Sequence, residues 1–163
     1  MRKCAATFYF MAMASLFPGG TTGQVALRDL PRLAGENPPL PSFAGKPVLL
    51  VFWAVWCEPC AAELPQIEEL RKEFSSSGLR VAGVAVASPA AQARSFLSRL
   101  KTAFPHYLDS NSEYAEAIGV AGVPAVMLLN VDGSIAYVQS GYENSPAREL
   151  RDQIRKILKQ KDK

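Results

Sequence analysis

A buried strand that runs directly into an amphipathic helix is the feature that most constrains the fold of this chain. Residues 48–52 form a continuous apolar run rich in β-branched side chains, which is typical of a central parallel strand covered on both faces. Helical spacing then replaces it, with apolar residues at intervals of three and four: Leu64, Ile67, Leu70 and Phe74. Charged residues are predicted mostly on the opposite helix face: Glu63, Glu68, Glu69, Arg71 and Lys72. The junction between strand and helix carries the sequence WCEPC.

The two cysteines of this junction are placed for redox chemistry. A thiol in the first turn of a helix lies near unpaired backbone N–H groups and the positive end of the helix dipole, and both favour its thiolate. Two intervening residues bring Cys60 round the same turn as Cys57, close enough for a disulfide to form and open. Pro59 suits this position because the first helical turn does not need its missing N–H. A redox-active dithiol is therefore the leading interpretation.

Other uses of a C-x-x-C motif remain as alternatives. A zinc site needs two further Cys or His ligands, but the sequence offers only Cys4 and His106. A c-type haem site needs His where Ala61 stands. A purely structural disulfide is disfavoured, because a loop of two residues adds little stability. His106 is interpreted as a loop or surface histidine rather than a metal ligand, since no residue near it has metal-site spacing.

The N-terminus has the composition of an export signal. Arg2 and Lys3 precede an uncharged, apolar stretch over residues 4–17, which Pro18-Gly19-Gly20 interrupts. The stretch is shorter than the about 20 residues that span a bilayer, so export is favoured over permanent anchoring. We expect residues 1–23 to be a signal peptide or N-terminal membrane segment, and residues 24–163 to be one domain. The net charge of +3 gives no indication of a nucleic-acid partner.

The rest of the chain alternates predicted strands and helices. Strands are predicted at residues 79–87, 126–130 and 134–139, with a short edge strand at 25–27 and a short extended piece at 104–108. Ser88-Pro89 is predicted to begin one helix, Ser110 and Glu113 to cap a short one that Gly119 ends, and residues 146–159 to form the last. Phe96, Leu97 and Leu100 are the predicted buried stripe of the first; Leu150, Ile154, Ile157 and Leu158 that of the last. This order predicts an α/β sandwich with a mixed sheet.

The segment GKPVLLVFWAVWCEPCAAELP resembles the thioredoxin superfamily, and within it the TlpA/ResA/DsbE-like branch of extracytoplasmic thiol-disulfide oxidoreductases. The resemblance continues through IGVAGVPAVMLLNVDGSI and the last helix, and it covers residues 26–158. It implies a thioredoxin-like fold with a central mixed β-sheet between helices. It also implies that the enzyme uses no cofactor beyond a redox-active Cys57–Cys60 disulfide.

Position along the helix distinguishes the roles of the two cysteines. Cys57 is nearer the helix N-terminus and the surface, so it is the predicted nucleophile, and Cys60 is the shielded resolving thiol. Glu63 matches the active-site glutamate of the resembled family and lies one turn after Cys60 on the same helix face. If it is buried, its pKa should be raised, which would suit a proton acceptor for Cys60; the alternative is an exposed glutamate. Val51 stands where thioredoxins carry aspartate.

The resemblance also implies a surface that binds the substrate protein. In the resembled family, the proline after Gly-Val is cis and packs against the dithiol, so the Val123-Pro124 bond is predicted to be cis. The alternative is that Pro124 is trans and simply begins the next strand. The predicted substrate-binding residues are Trp56, Glu58, Pro59, Val123 and Pro124. Trp53 is predicted in the core and Trp56 at the rim of the site.

The direction of electron flow is predicted from the residue beside the nucleophile. The carboxylate of Glu58 disfavours the Cys57 thiolate, which makes the couple more reducing. The sequence therefore favours an exported reductase of protein disulfides. The WCEPC sequence resembles the cytochrome c maturation reductases, which implies apocytochrome c as the first client and a copper-site assembly protein as the second. The alternatives are a disulfide oxidase or isomerase and a Cu(I) metallochaperone. The expected partners are protein thiols and a membrane-bound, thiol-transferring electron donor, and the expected state is a monomer outside the cytoplasm.

Overall fold

The computed structural model describes residues 30–33, 45–141 and 146–160. Its elements in chain order are β1 (Val48–Trp53), α1 (Glu58–Phe74), β2 (Arg80–Val86), α2 (Ala90–Ser98), β3 (His106–Asp109), α3 (Glu113–Ala117), β4 (Ala125–Leu129), β5 (Ile135–Ser140) and α4 (Pro146–Gln160). The predicted N-terminal segment 1–23 and strand 25–27 lie outside the described residues. Among the helices of the described ranges, none has the length and apolar character to cross a membrane.

In the described part of the chain, the strands form one mixed sheet in the order β3-β2-β1-β4-β5. β1 pairs in parallel with β2, which pairs in parallel with β3, whereas β4 runs antiparallel to both β1 and β5. All six residues of β1 are buried, as its continuous apolar run predicts. Each predicted strand that lies in the described ranges is confirmed, with its ends shifted by one or two residues.

Helices cover both faces of this sheet. Adjacent residues of a strand point to opposite faces: Trp53 stacks on Phe96 of α2 with ring centroids 5.1 Å apart, and Phe52 stacks on Tyr114 of α3 at 6.3 Å. α1 packs against α4, where the Glu73 carboxylate accepts hydrogen bonds from Arg151 and Arg155 at 2.7 and 3.0 Å. The predicted α/β sandwich with a mixed sheet is confirmed.

The predicted apolar stripes are confirmed more fully in the long helices than in α2. Leu64, Ile67, Leu70 and Phe74 of α1 are buried, and so are Leu150, Ile154 and Ile157 of α4, with Leu158 partly buried. α2 ends at Ser98, and it buries Ala93 and Phe96. Leu97 is only partly buried, and Leu100 lies beyond the helix end.

Two glutamates of α1 are buried, although both were predicted mostly on the polar face. Glu63 is 1% exposed and Glu68 is 4% exposed. The Glu68 carboxylate accepts two hydrogen bonds from Arg71, at 2.7 and 3.0 Å, and one from the Ala103 N–H at 3.1 Å. Burial alone would raise the pKa of Glu68, but these hydrogen bonds outweigh it and lower the pKa. Helical periodicity missed this residue because its partner, the loop before β3, is distant in sequence.

The predicted starts of two helices are wrong. α2 begins at Ala90 after Pro89, so the Ser88 hydroxyl does not cap it. α3 begins at Glu113 after Ser112, not after Ser110, and no side chain of its N-cap residue bonds the helix. The Asp109 carboxylate at the end of β3 instead accepts the N–H groups of Tyr114 and Ala115, at 3.2 and 2.9 Å. A buried carboxylate is a stronger acceptor than a serine hydroxyl, and sheet formation places it there.

His106 is neither a loop nor a surface residue, contrary to prediction. It lies in β3 and is 5% exposed. Trp53 Nε1 donates to His106 Nδ1 at 3.2 Å; because an indole only donates, the imidazole proton must be on Nε2, which faces Thr102 Oγ1 at 3.0 Å. Burial lowers the pKa of His106 to about 3, so the ring is neutral at physiological pH. This contact has no signal in the sequence, because Trp53 and His106 come together only when β1 and β3 join the same sheet.

The space for the His106 ring depends on Gly83, its cross-strand partner in β2. A Cβ atom built on Gly83 would overlap the imidazole. We expect Gly83→Ala to lower the free energy of unfolding by about 1–3 kcal/mol, the usual cost of overfilling a packed core, as measured by denaturant unfolding.

Gly122 offers the matched control, since a Cβ atom there meets nothing within 4 Å. Gly122→Ala should leave stability unchanged or raise it by up to about 1 kcal/mol, because alanine restricts the unfolded chain. Equal effects of the two substitutions would contradict the predicted overlap with His106.

Candidate active site

The two cysteines lie where β1 passes into α1. Cys57 is the N-cap residue of α1, in extended backbone conformation (φ −91°, ψ 96°), and the helix begins at Glu58 with Pro59 in its first turn. Cys57 and Cys60 form a disulfide with Cα atoms 5.4 Å apart. Cys57 is 4% exposed and Cys60 is fully buried. The predicted order of accessibility is confirmed, although Cys57 precedes the first turn instead of lying in it.

Glu63 is the buried acid nearest along the helix to this pair. It lies three residues after Cys60, one turn further along the same face, and no described residue donates a hydrogen bond to its carboxylate. Burial raises its pKa from 4.5 to about 7, because the apolar surroundings penalise the charged form. The raised pKa predicted for a buried Glu63 is confirmed, and the alternative of an exposed helix glutamate is wrong. Near neutral pH this carboxyl can therefore accept or release a proton.

Trp56 stands exposed beside the pair, whereas Trp53 is fully buried, as predicted for a rim and a core residue. The indole N–H of Trp56 donates to the Ala87 carbonyl at 3.3 Å. The ring borders a groove of about 200 Å³ that continues along α3 and the loop before β4; this groove is lined by residues including Ala87, Ala115, Glu116, Val120 and Val123. The groove offers a mainly apolar surface that begins at Trp56, the residue before Cys57.

The loop before β4 supplies the other predicted binding residues. The Val123-Pro124 peptide bond is cis, as predicted, and the Pro124 carbonyl accepts the Gly141 N–H at 2.8 Å. Val123 is partly buried and lines the groove beside Trp56, while Glu58 and Pro59 are exposed at the start of α1. The structure thus joins Trp56 and Val123, which lie far apart in sequence, around one groove.

Sequence reasoning missed the loop between β2 and α2. The Ser88 hydroxyl accepts the Val55 N–H at 3.1 Å and donates to the Val86 carbonyl at 2.8 Å. Ala87 beside it has a positive φ of 44°. A Ser-Pro pair is read as a helix start, so no sequence signal indicated that this serine contacts the segment before Cys57.

Among the described residues, no group of three or more His, Cys, Asp or Glu side chains is placed to hold a metal ion. The acidic and sulfur-bearing groups of the site are Cys57, Cys60, Glu58 and Glu63. Their arrangement suits transfer of two electrons and of protons between a dithiol and a disulfide.

Comparison with known proteins agrees with this chemistry. The Redoxin family model matches residues 18–154. The thiol-disulfide oxidoreductase ResA of Halalkalibacterium halodurans is 33% identical over 137 residues, covering 83% of this chain and 77% of the relative; ResA of Bacillus subtilis is 30% identical over 132 residues, covering 81% and 72%. A crystal structure described as a thiol:disulfide interchange protein DsbE from Chlorobium tepidum superposes with a TM-score of 0.78 at 25% identity, covering 85% of this chain and 98% of the other.

We expect Glu63→Gln to change how the stability of the oxidised protein depends on pH. The pKa of Glu63 is raised from its ordinary value of 4.5 to about 7 in the folded protein. The resulting contribution to the free energy of unfolding is therefore fully present below pH 4.5. It is lost as pH rises towards 7, because only the folded state still holds the proton there. The loss amounts to about 3 kcal/mol. Denaturant unfolding measures the free energy of unfolding of both proteins. Between acid and neutral pH, that of the wild type should fall by about this much more than that of Glu63→Gln.

The difference between the two proteins is the quantity to measure, because His106 titrates in the opposite sense. Its pKa is lowered from 6.5 to about 3, so stability is lost as pH falls below 6.5 and the two slopes overlap. Glu69→Gln is the matched control on the same helix, since Glu69 is exposed and forms an ion pair with Lys72. A pH-independent difference between wild type and Glu63→Gln would show that Glu63 does not titrate near neutrality.

Proposed function

The chain belongs to the Redoxin family and is a thiol-disulfide oxidoreductase of thioredoxin-like fold, and we propose that it works as an exported reductase of protein disulfides. The observation that carries this proposal is the buried Cys57–Cys60 disulfide at the start of α1. One turn further on lies Glu63, whose pKa is raised by burial. Together they provide a nucleophile, a resolving thiol and a proton acceptor.

The reaction begins with both cysteines reduced. The Cys57 thiolate attacks one sulfur of the client disulfide, the client S–S bond breaks, and its other sulfur leaves as a thiolate that takes up a proton. Cys60 then loses its proton and attacks Cys57, which forms the Cys57–Cys60 disulfide and releases the second client thiol. Two electrons pass from this protein to the client. A thiol-transferring donor at the membrane restores the reduced pair.

Glu63 supports the second step of this reaction. Cys60 is fully buried, so its proton needs an acceptor within the protein. A carboxyl whose burial raises its pKa to about 7 is matched to that task, since a general base works best when its pKa lies near the working pH.

Two features of the surface support reduction and a polypeptide client. Glu58 is exposed next to Cys57, and its negative charge disfavours the Cys57 thiolate, which lowers the reduction potential of the pair. The groove between Trp56 and Val123 can take an extended chain beside the disulfide. The WCEPC sequence favours apocytochrome c as the client, followed by a copper-site assembly protein.

Export is supported by the composition of residues 1–23, with two basic residues before an uncharged apolar run. An oxidising compartment would keep the two cysteines as a disulfide unless a dedicated electron donor reduced them. A reductase working there therefore needs the electron donor named above.

The reduction potential of the pair tests the direction of transfer. We expect a value at or below roughly −270 mV, the thioredoxin range, when the protein is equilibrated with thiol buffers and its free thiols are trapped. A value towards roughly −120 mV, where strong oxidants lie, would contradict the reductase and favour a disulfide donor.

The choice of client is tested with an oxidised C-x-x-C-H peptide and a control peptide whose cysteines are far apart. The reduced protein should reduce the first peptide faster. Cys60→Ala should accumulate a mixed disulfide with the peptide, Cys57→Ala should be inactive, and Glu63→Gln should slow release by about 10²-fold, the usual contribution of a general base. Equal rates with both peptides would rule out a preference for apocytochrome c.

A further inference from the structure

The loop between β2 and α2 holds the segment that ends in Cys57. Ser88 is 1% exposed, and its hydroxyl accepts the Val55 N–H at 3.1 Å. The carbonyl of the preceding residue, Ala87, accepts the Trp56 indole N–H at 3.3 Å. Two consecutive residues of one loop therefore bind two consecutive residues of the other, immediately before the nucleophile.

This arrangement does not serve the helix that follows. α2 begins at Ala90, and no side chain caps it. The Ser88 hydroxyl donates instead to the Val86 carbonyl at 2.8 Å, which leaves its oxygen facing Val55. Ala87 adopts φ 44°, a region that alanine rarely occupies. The loop thus keeps an unfavourable backbone conformation that directs its polar groups towards the segment before Cys57.

The hold on this segment matters most when the protein is reduced. The disulfide ties Cys57 to Cys60 in the oxidised state, and reduction removes that tie. Hydrogen bonds still hold the segment in the reduced state. The Cys57 N–H donates to the Ala54 carbonyl at 3.2 Å, the Cys57 carbonyl accepts the Cys60 N–H at 3.2 Å, and Val55 and Trp56 donate to Ser88 and Ala87. A thiolate benefits from the helix dipole only within the first turn, so the position of Cys57 affects its reactivity.

We propose that Ser88 is a positioning residue for thiol-disulfide exchange, whose buried hydroxyl holds residues 55–57 so that the reduced Cys57 stays at the N-terminus of α1. This inference rests on the proposed role of Cys57 as the attacking thiol. Ser88 itself need not touch the client.

The test compares Ser88→Ala, Ser88→Thr and Ser98→Ala with the wild type in the reduced state. Ser98 is an exposed serine whose hydroxyl bonds only within α2, so its substitution is the control. The rate of Cys57 alkylation is measured against pH, and mass spectrometry identifies the cysteine that is labelled first. For Ser88→Ala we expect a midpoint at higher pH and a rate at neutral pH lower by about two- to fivefold, the size of a lost interaction between the thiolate and the helix dipole. Ser88→Thr, which keeps the hydroxyl, should restore both values.

A purely structural role predicts a different result. In that case Ser88→Ala would lower the denaturation midpoint but leave the alkylation midpoint at its wild-type pH, and this outcome would overturn the proposal. First labelling at Cys60 would instead overturn the assignment of Cys57. If Ser88→Ala does not fold, hydrogen exchange of the Val55 amide in reduced wild-type protein decides: slow exchange supports the hold, and exchange at the rate of a free amide refutes it.

Discussion

The position of β1 at the centre of the sheet is the constraint on which the rest of the structure depends. Its six buried residues pair with β2 on one side and β4 on the other, so the strand cannot shift without breaking both ladders. The chain leaves this fixed strand at Trp53 and reaches Cys57 four residues later. The disulfide therefore lies just beyond the end of the central strand and at the start of α1.

Asp109, Glu68 and His106 are buried and have hydrogen-bond partners among the described residues, whereas the buried Glu63 does not. Asp109 accepts two backbone N–H groups, Glu68 accepts Arg71 and Ala103, and neutral His106 pairs with Trp53 and Thr102. No residue in the described part of the chain donates a hydrogen bond to Glu63, and burial raises its pKa to about 7. Burial penalises the charged form of a carboxyl, and in this fold the carboxyl so affected lies one turn after Cys60 in α1.

The groove beside the disulfide is built from parts that are distant in sequence. Trp56 follows β1, Ala87 follows β2, Ala115 belongs to α3, and Val123 precedes β4. β1 lies between β2, which is parallel to it, and β4, which is antiparallel. The last residues of β1 and β2 and the first residues of β4 therefore lie at the same edge of the sheet, where α1 starts. The same adjacency lets the Ala87 and Ser88 loop contact the residues before Cys57. The sheet order thus decides both the binding surface and the support of the nucleophile.

The sequence by itself determined the strand and helix order, the C-x-x-C site and the residues of the α1 and α4 cores, because these follow from local periodicity and from a specific motif. The raised pKa of Glu63 and the cis bond at Pro124 were also foreseeable, since the resemblance named both positions. Only the tertiary structure decided the roles of Ser88, Asp109, Glu68 and His106. Ser88, Glu68 and His106 each bond a group from a distant segment of the chain, whereas Asp109 bonds the start of the helix that follows it. A polar residue read alone shows no sign of which group will satisfy it.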